Sequence, residues 1–409
     1  MKAAASADIR ELLQRLQLQE KQLSALLQIT QAINNNVSAR GLLKTYETLL
    51  LRNLPIRKMA LFIQHTGWMC SNAAGISRPE ADALCMPHLS TFRQVTLLNR
   101  IGHELAAVFD VVVPVFHKEL PLAFTFVQLT DGSAEPPDEE ITFIQTLSSI
   151  VAVAIENKKL FRAQMKHRFF KAELELAGQM QTMLIPGKLP DDHRVSAAGI
   201  YLPHQEVGGD YYDFIELNED EFFFCMGDIS GKGVVAALLM ANFQASVRIF
   251  AEHERSLQRL TELLNARVNE ITKGEKFITL FLARFQRDKR ELHYVNAGHN
   301  PPILVHDGTS RLLSEGCTIL GMFERLPYVH VQRLTLPNEF MVFCYTDGLV
   351  DTENEQQESF DVSQLLAFTE KNHHLKPAAF NKKLVDTLIQ FKKQRTTADD
   401  ISLLTCRFY

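Results

Sequence analysis

The stretch that most constrains this chain is residues 205–240, QEVGGDYYDFIELNEDEFFFCMGDISGKGVVAALLM. It holds two acidic turns, GGDYYD and GDISGKG, separated by a short aromatic strand pattern and followed by an apolar helix pattern. Asp210 comes after two glycines, which let the backbone turn tightly and approach a partner closely. Asp228 closely follows Glu221-Phe222-Phe223-Phe224-Cys225-Met226, whose aromatic content and length suit a strand. Ser230-Gly231-Lys232-Gly233 reads as a loop, and Val234 to Phe250 carries apolar residues at helical spacing. Two carboxylates at neighbouring strand ends beside a helix N-terminus can gather a hard cation or a phosphate. The rest of the chain either completes that acidic site or controls it.

Acidic residues recur at strand ends further on. Asp347 follows the strand pattern Met341 to Thr346, and Asp399 and Asp400 open the last one, in TADDISLLT. Each aspartate alone is explained as a turn former or a helix cap. A carboxylate just beyond an apolar strand, four times over, points instead to oxygen-only ligation of Mg²⁺ or Mn²⁺. No histidine or cysteine pair has zinc spacing.

The 409 residues allow two or three domains. A net charge of −5 gives no broad basic surface, which argues against nucleic-acid binding. The six cysteines are scattered without a CxxC pair, as expected of reduced core thiols in a cytoplasmic protein. The start MKAAASADIRELL lacks the apolar run of a signal peptide, and no stretch reads as the ~20 apolar residues of a membrane span.

Taken in order, residues 1–33 carry a heptad-like seam, Ile9, Leu12, Leu16, Gln19, Leu23, Leu26, Thr30 and Ile33. It fits either a dimer contact or a helix packed on its own domain. Residues 34–160 alternate helix, strands, a hairpin and a long helix. His65, His88, His103 and His117 there lack metal-ligand spacing, and Asp131-Gly132 with Pro136-Pro137 closes the sheet pattern. From Asp138 to Ile185 the only glycine is Gly178, and there is no proline. One seam runs through Ile141, Ile144, Ser148, Val151 and Ile155, and a second through Phe169, Ala172, Leu176, Met180 and Met183. Either one signalling helix with a linker at 161–187, or two separate helices, would give this pattern. Gly178 is a candidate soft point. Residues 188–409 show eight strand patterns, beginning with Val195 to Tyr201 and Glu221 to Asp228. They include Tyr328 to Leu336 and end at Ile401 to Phe408. Paired helix patterns fall at 234–252, 255–272, 361–370 and 377–393. That order predicts antiparallel sheets covered by helices, an α+β domain.

VGGDYYD, GDISGKG, AGHNPP, YTDG and ADDIS, in that order, resemble the bacterial sporulation-phosphatase branch (SpoIIE-like, RsbU-like) of the PPM metal-dependent protein phosphatases. The resemblance covers about residues 172–409. It implies an αββα sandwich with two metal ions, Mn²⁺ or Mg²⁺, between the sheets. It implies Asp228 as the bridging ligand, Asp210 as a ligand of one ion, and the Ile229 carbonyl beside them. Asp347 and Asp399 would hold the other ion, with Asp400 next to the last ligand. Asp210 and Asp228 would act through a metal-activated water that attacks a phosphoserine or phosphothreonine in line. Asp213 would lie behind the ligands and His299 would be loop structure. Ser230 stands where the eukaryotic branch has a histidine, and no arginine lies between Arg194 and Arg248, so the phosphate-binding group stays unassigned. Lys232 reads either as that group or as a solvent-facing loop lysine.

Residues 34–160 resemble a GAF-type sensory domain in pattern only, without the signature of the cyclic-nucleotide-binding members. A small-molecule or protein signal and a ligand-free dimerisation module are both open there. The family resemblance further implies a phosphorylated STAS-domain substrate in a partner-switching pathway, and the seams imply a homodimer. The rival readings are a non-catalytic scaffold that keeps only the fold, and a diguanylate cyclase. GGDYYD is similar to the GGDEF loop, but here the other acidic turns all lie downstream.

Overall fold

The computed structural model describes residues 2–64, 67–129 and 137–409. His65, the Asp131-Gly132 turn and Pro136 lie outside the described residues, as do the side chains of Ile9 and Leu12. The chain divides into two units, Met1–His167 and Arg168–Tyr409. The boundary falls inside the segment read as a linker.

The first unit contains α1 (Lys2–Asn34), α2 (Ala39–Asn53), β1 (Ile56–Gln64), β2 (Trp68–Ala74), α3 (Arg78–Cys85), β3 (Thr96–Leu97), β4 (Val111–His117) and β5 (Leu120–Leu129). It also contains the start of α4 (Asp138–Thr182), which is one unbroken helix. The strands form an antiparallel sheet in the order β2-β1-β5-β4-β3. One face of the sheet packs against Ala25 and Ile29 of α1, Leu42, Leu49 and Leu50 of α2, and Ile144, Val151 and Ile155 of α4. Ser148 interrupts that apolar seam for a reason: its hydroxyl meets Tyr46 Oη at 2.7 Å and Thr125 Oγ1 at 3.0 Å, all three buried. Buried hydroxyls that satisfy each other cost little, and they fix the register of two helices on the sheet. The other face is filled by Phe62, Phe92, Phe109, Phe124 and Phe126 with Cys70 and Cys85.

The second unit holds β6 (Val195–Leu202), β7 (Tyr211–Asn218), β8 (Glu221–Ile229), α5 (Val234–His253), α6 (Leu257–Thr272), β9 (Ile278–Gln286), β10 (Glu291–Ala297), β11 (Ile303–His306), β12 (Thr309–Leu312), β13 (Gly316–Cys317), β14 (Gln332–Thr335), β15 (Phe340–Tyr345), α7 (Asp347–Val350), α8 (Val362–Asn372), α9 (Pro377–Lys392) and β16 (Ile401–Phe408). One sheet runs β13-β10-β9-β8-β7, with β14 also paired to β10; the other runs β12-β11-β15-β16-β6. Phe214, Phe224, Phe281, Phe285, Phe340 and Phe408 interleave between the sheets. On the outside, α5 and α6 cover the first sheet through Met240, Phe243, Leu260 and Leu264. Helices α8 and α9 cover the second through Leu365, Phe380 and Leu384. The result is four layers, αββα. Helix α5 is long and apolar enough to cross a membrane by composition, a window that the sequence reading passed over. Its buried face, Ala236 to Ala251, is the roof of this core.

Candidate metal centre

Antiparallel register gathers the acidic turns. Tyr211 pairs with Gly227, so Asp210 and Asp228 lie side by side where β7 begins and β8 ends. In the other sheet Tyr345 pairs with Leu403, which brings Asp347 beside Asp399 and Asp400. Hydrogen bonds across the layers show that these two ends are the same end of the sandwich. Thr346 Oγ1 donates to Asp210 Oδ2 at 2.8 Å, and Gly209 N donates to Asp400 Oδ2 at 2.9 Å. His204 N adds a third, 2.7 Å from Asp400 Oδ1. Asp400 is therefore the buckle between the last strand and the loop 204–209 that carries Asp210. Gly208 lies so close to the Asp400 carboxylate and to Tyr201 Oη that a Cβ there would stand 2.1–2.2 Å from them. Only glycine fits that approach.

The electrostatics are those of carboxylates crowded away from water. Burial and the neighbouring Asp228 hold the Asp210 carboxyl well above its usual range. Burial, then Asp347, Asp399 and Asp400, pushes Asp228 up to about 7. Burial and Asp399 raise Asp347, and burial raises Asp400. Such a cluster opposes folding unless a cation neutralises it. Lys232 supplies one charge: its Nζ stands 2.9 Å from Asp399 Oδ2 and donates to the Ala398 carbonyl at 2.8 Å. It is thus no free loop lysine. The donor chemistry, four or five carboxylates with the Ile229 carbonyl facing Gly209, suits a hard divalent ion. Among the described residues no three acidic, histidine or cysteine side chains close to ligand geometry.

Other expected residues have different work. Asp213 is fully buried, but it points to the helix side of the sheet. It accepts from Tyr211 Oη at 2.7 Å and from Arg248 Nε and Nη2 at 2.6 and 2.9 Å. Side chains alternate along β7, so Asp210 and Tyr212 face the interior while Tyr211 and Asp213 face α5. None of these bonds reaches Asp210 or Asp228; Asp213 ties β7 to α5. Ser230 exchanges hydrogen bonds with Phe277, N to O at 3.0 Å and Oγ from N at 2.9 Å, which anchors the loop after Asp228. His299 is buried within its turn. Asn296 Oδ1 accepts from its N at 2.7 Å, and its Nδ1 meets Thr279 Oγ1 at 2.9 Å.

Gln181 was not singled out in the sequence, yet it grips the loop that leads to Asp210. Its side-chain amide donates to the Gly208 carbonyl at 2.6 Å and accepts from Gly208 N at 3.1 Å. Gly178, one turn earlier, is packed against the Glu206 carbonyl: a Cβ there would come within 2.0 Å. The glycine is a point of close contact rather than a soft point in the helix. The lone glycine of a long helix pattern, with a glutamine nearly one turn on, was the available signal.

Residues 218–409 match the family model described as Stage II sporulation protein E (SpoIIE). The chain is 26% identical over 243 residues to phosphoserine phosphatase RsbU of Bacillus subtilis, covering 58% of this chain and 70% of that protein. It is 25% identical to phosphoserine phosphatase RsbP of the same organism, covering 55% of this chain and 54% of the relative. Among solved structures, the SiaA-PP2C domain of Pseudomonas aeruginosa superposes with a TM-score of 0.54 at 19% identity, over 60% of this chain and 99% of that one. The ordered motifs, the αββα layers and the family match agree on a SpoIIE-like domain of PP2C-type fold in the C-terminal part of this chain.

Proposed function

We propose that the protein is a metal-dependent phosphatase of phosphoserine and phosphothreonine, acting on a phosphorylated STAS-domain antagonist of an anti-sigma factor in a cytoplasmic partner-switching pathway. The observation that carries this reading is the meeting of Asp210, Asp228, Asp347, Asp399 and Asp400 at one end of the sandwich with a deficit of positive charge. The names of the relatives, phosphoserine phosphatases, support it.

In this reading Asp228 would help to hold both of two Mn²⁺ or Mg²⁺ ions, Asp210 and the Ile229 carbonyl would hold one, and Asp347 and Asp399 the other. Bound there, the ions supply Lewis acidity and an acidified water for hydrolysis of a phosphate monoester. Asp400 orients the Gly208-Gly209 backbone, and Thr346 fixes the Asp210 carboxylate by its hydroxyl bond. Ser230 holds the loop after Asp228 against Phe277. No cysteine is needed as nucleophile, and burial pushes the thiols of Cys225, Cys344 and Cys406 up, which keeps them protonated.

We further infer that residues 34–160 form a GAF-like sensor and that α4 carries its signal, because the end of α4 grips the loop of Asp210 through Gln181. The test is hydrolysis of an aryl phosphate and of a phosphorylated STAS-domain protein by the full chain, with and without Mn²⁺. Metal-dependent turnover that drops at least about 10³-fold in Asp228→Asn is expected. Turnover that ignores metal, or that survives the substitution, would defeat the reading. A chain that neither turns over nor binds Mn²⁺ would be a scaffold.

A further inference from the structure

Both carboxylate oxygens of Asp399 are already engaged. Oδ1 accepts from the Asp400 backbone N at 3.0 Å, and Oδ2 lies 2.9 Å from Lys232 Nζ. The lysine is also tied to the Ala398 carbonyl, one residue before Asp399. Its own backbone is not free to wander, because Ser230, two residues earlier, is bonded in both directions to Phe277. The ammonium thus reaches from the end of β8 to the start of β16 and joins the two strand ends that carry Asp228 and Asp399. Its charge is felt by Asp228 and Asp347 as well.

We propose that Lys232 is a tethered counter-cation, which holds Asp399 when the centre is empty of metal and must be displaced before Asp399 can serve as a ligand. The inference rests on the metal-centre reading above and adds a competition built into the chain. The chemistry suits a lysine: an ammonium is a compact point charge on a flexible stem, able to swing into water where the bidentate fork of an arginine would hold on. The geometry suits it too, since the side chain is 51% exposed and its partner 38%. An exposed pair of this kind is weak by itself. What distinguishes it is its place on a residue that one of the two ions requires, so that filling that position costs one ion pair broken. The outcome is a centre that is protected from charge repulsion when empty, and that fills only when divalent metal is abundant enough to evict the lysine.

The experiment is a Mn²⁺ titration of the full chain, followed by the electron paramagnetic resonance signal of free Mn²⁺, at fixed pH and ionic strength. Lys232→Met keeps the stem and removes the charge; it is expected to bind Mn²⁺ roughly three- to tenfold more tightly than the natural chain. Lys232→Arg, which keeps the charge, is expected to bind no more tightly than the natural chain. Thermal unfolding gives a second readout. The metal-free Lys232→Met chain should melt below the natural one, so its rise in Tm on adding Mn²⁺ should be larger. Equal or weaker binding by Lys232→Met, with the natural chain binding normally, would overturn the lysine's role and leave the metal centre standing. Absence of Mn²⁺ binding in the natural chain and both variants would overturn the centre itself. Asp228→Asn separates the two failures, since it must weaken binding wherever the ion sits as proposed.

Discussion

At the scale of single residues, the motifs of this chain divide into charges that await a cation and groups that are already satisfied. His299 belongs to the second kind. Burial drives its pKa down to about 4 from the usual 6.5, against a smaller pull upward from the Tyr345 carbonyl. The ring therefore stays neutral in the folded chain while it protonates freely in the unfolded one. The unfolded state then binds more protons as pH falls, so stability is whole above pH 6.5 and is lost progressively down to about 4. The raised carboxyls of the metal centre act with the opposite sign, gaining stability as pH falls in the metal-free chain. A direct pH profile would mix the two. The difference between the natural chain and His299→Gln cancels the carboxylates. It should shrink by roughly 2–3 kcal/mol between pH 7 and pH 4.5, measured by urea unfolding. A difference that is flat with pH would mean that His299 is not held neutral.

At the scale of elements, the loop 204–209 is held from two sides, by Asp400 just before β16 and by Gln181 in α4. Gly178→Ala puts a methyl group where the Glu206 carbonyl already stands, so either the helix or the loop must move. The helix gains propensity from alanine, by about 1 kcal/mol, yet the contact is lost. The expected result is an intact fold with Mn²⁺ affinity and turnover both reduced, roughly tenfold; Gln181→Ala should do the same without the steric push. Unchanged Mn²⁺ binding in both variants would show that the grip does not reach Asp210. The sequence made part of this layer legible. Apolar runs flanked by an acidic turn, after β8 and β15 and before β16, marked these strands within a residue or two. Strand β7 was passed over, because Asp213 breaks its apolar pattern and the partner that makes Asp213 tolerable, Arg248, is 35 residues away. The strand expected over Tyr328 to Leu336 shrinks to Gln332–Thr335, since Val329 and Val331 turn to pack beside the helices instead of extending the ladder. Helix α3 was missed although Ser77-Arg78-Pro79-Glu80 carries a capping signature, with Ser77 Oγ accepting from Glu80 N. The carboxylate set was legible because ligation needs residue types at strand ends. Gln181 and Lys232 were not, because their roles rest on contacts between distant segments.

At the scale of the whole molecule, the two seams of α4 have opposite fates. Ile144, Val151 and Ile155 are core. Phe169, Leu176, Met180 and Met183 are 62–74% exposed. Gln181, on the adjoining face, is the buried one in that stretch. An apolar stripe at heptad spacing beside a face already used asks for a second helix. The N-terminal helix repeats the division: Ala25 and Ile29 are buried in their own domain, whereas Leu13, Leu16, Leu23 and Leu27 are 53–60% exposed. The buried face of that helix is packed on its own domain, and the exposed leucines are the face that a dimer contact would use. A second copy of the chain is the partner we propose for these stripes, by parallel or antiparallel pairing of like with like. Leu176→Asp with Met180→Asp removes two anchors from each of two helices. At about 1.5–3 kcal/mol for each buried side chain, the dissociation constant should rise by at least roughly a thousandfold. Sedimentation equilibrium of the full chain should then show monomer at concentrations where the natural chain is expected to pair. Gln179→Asp, one position off the stripe, should leave the dimer intact. If turnover falls together with the dimer while Mn²⁺ affinity holds, pairing acts on the arrangement of the loop that Gln181 grips. A monomeric natural chain would leave the stripe to a different protein and remove pairing from the regulation.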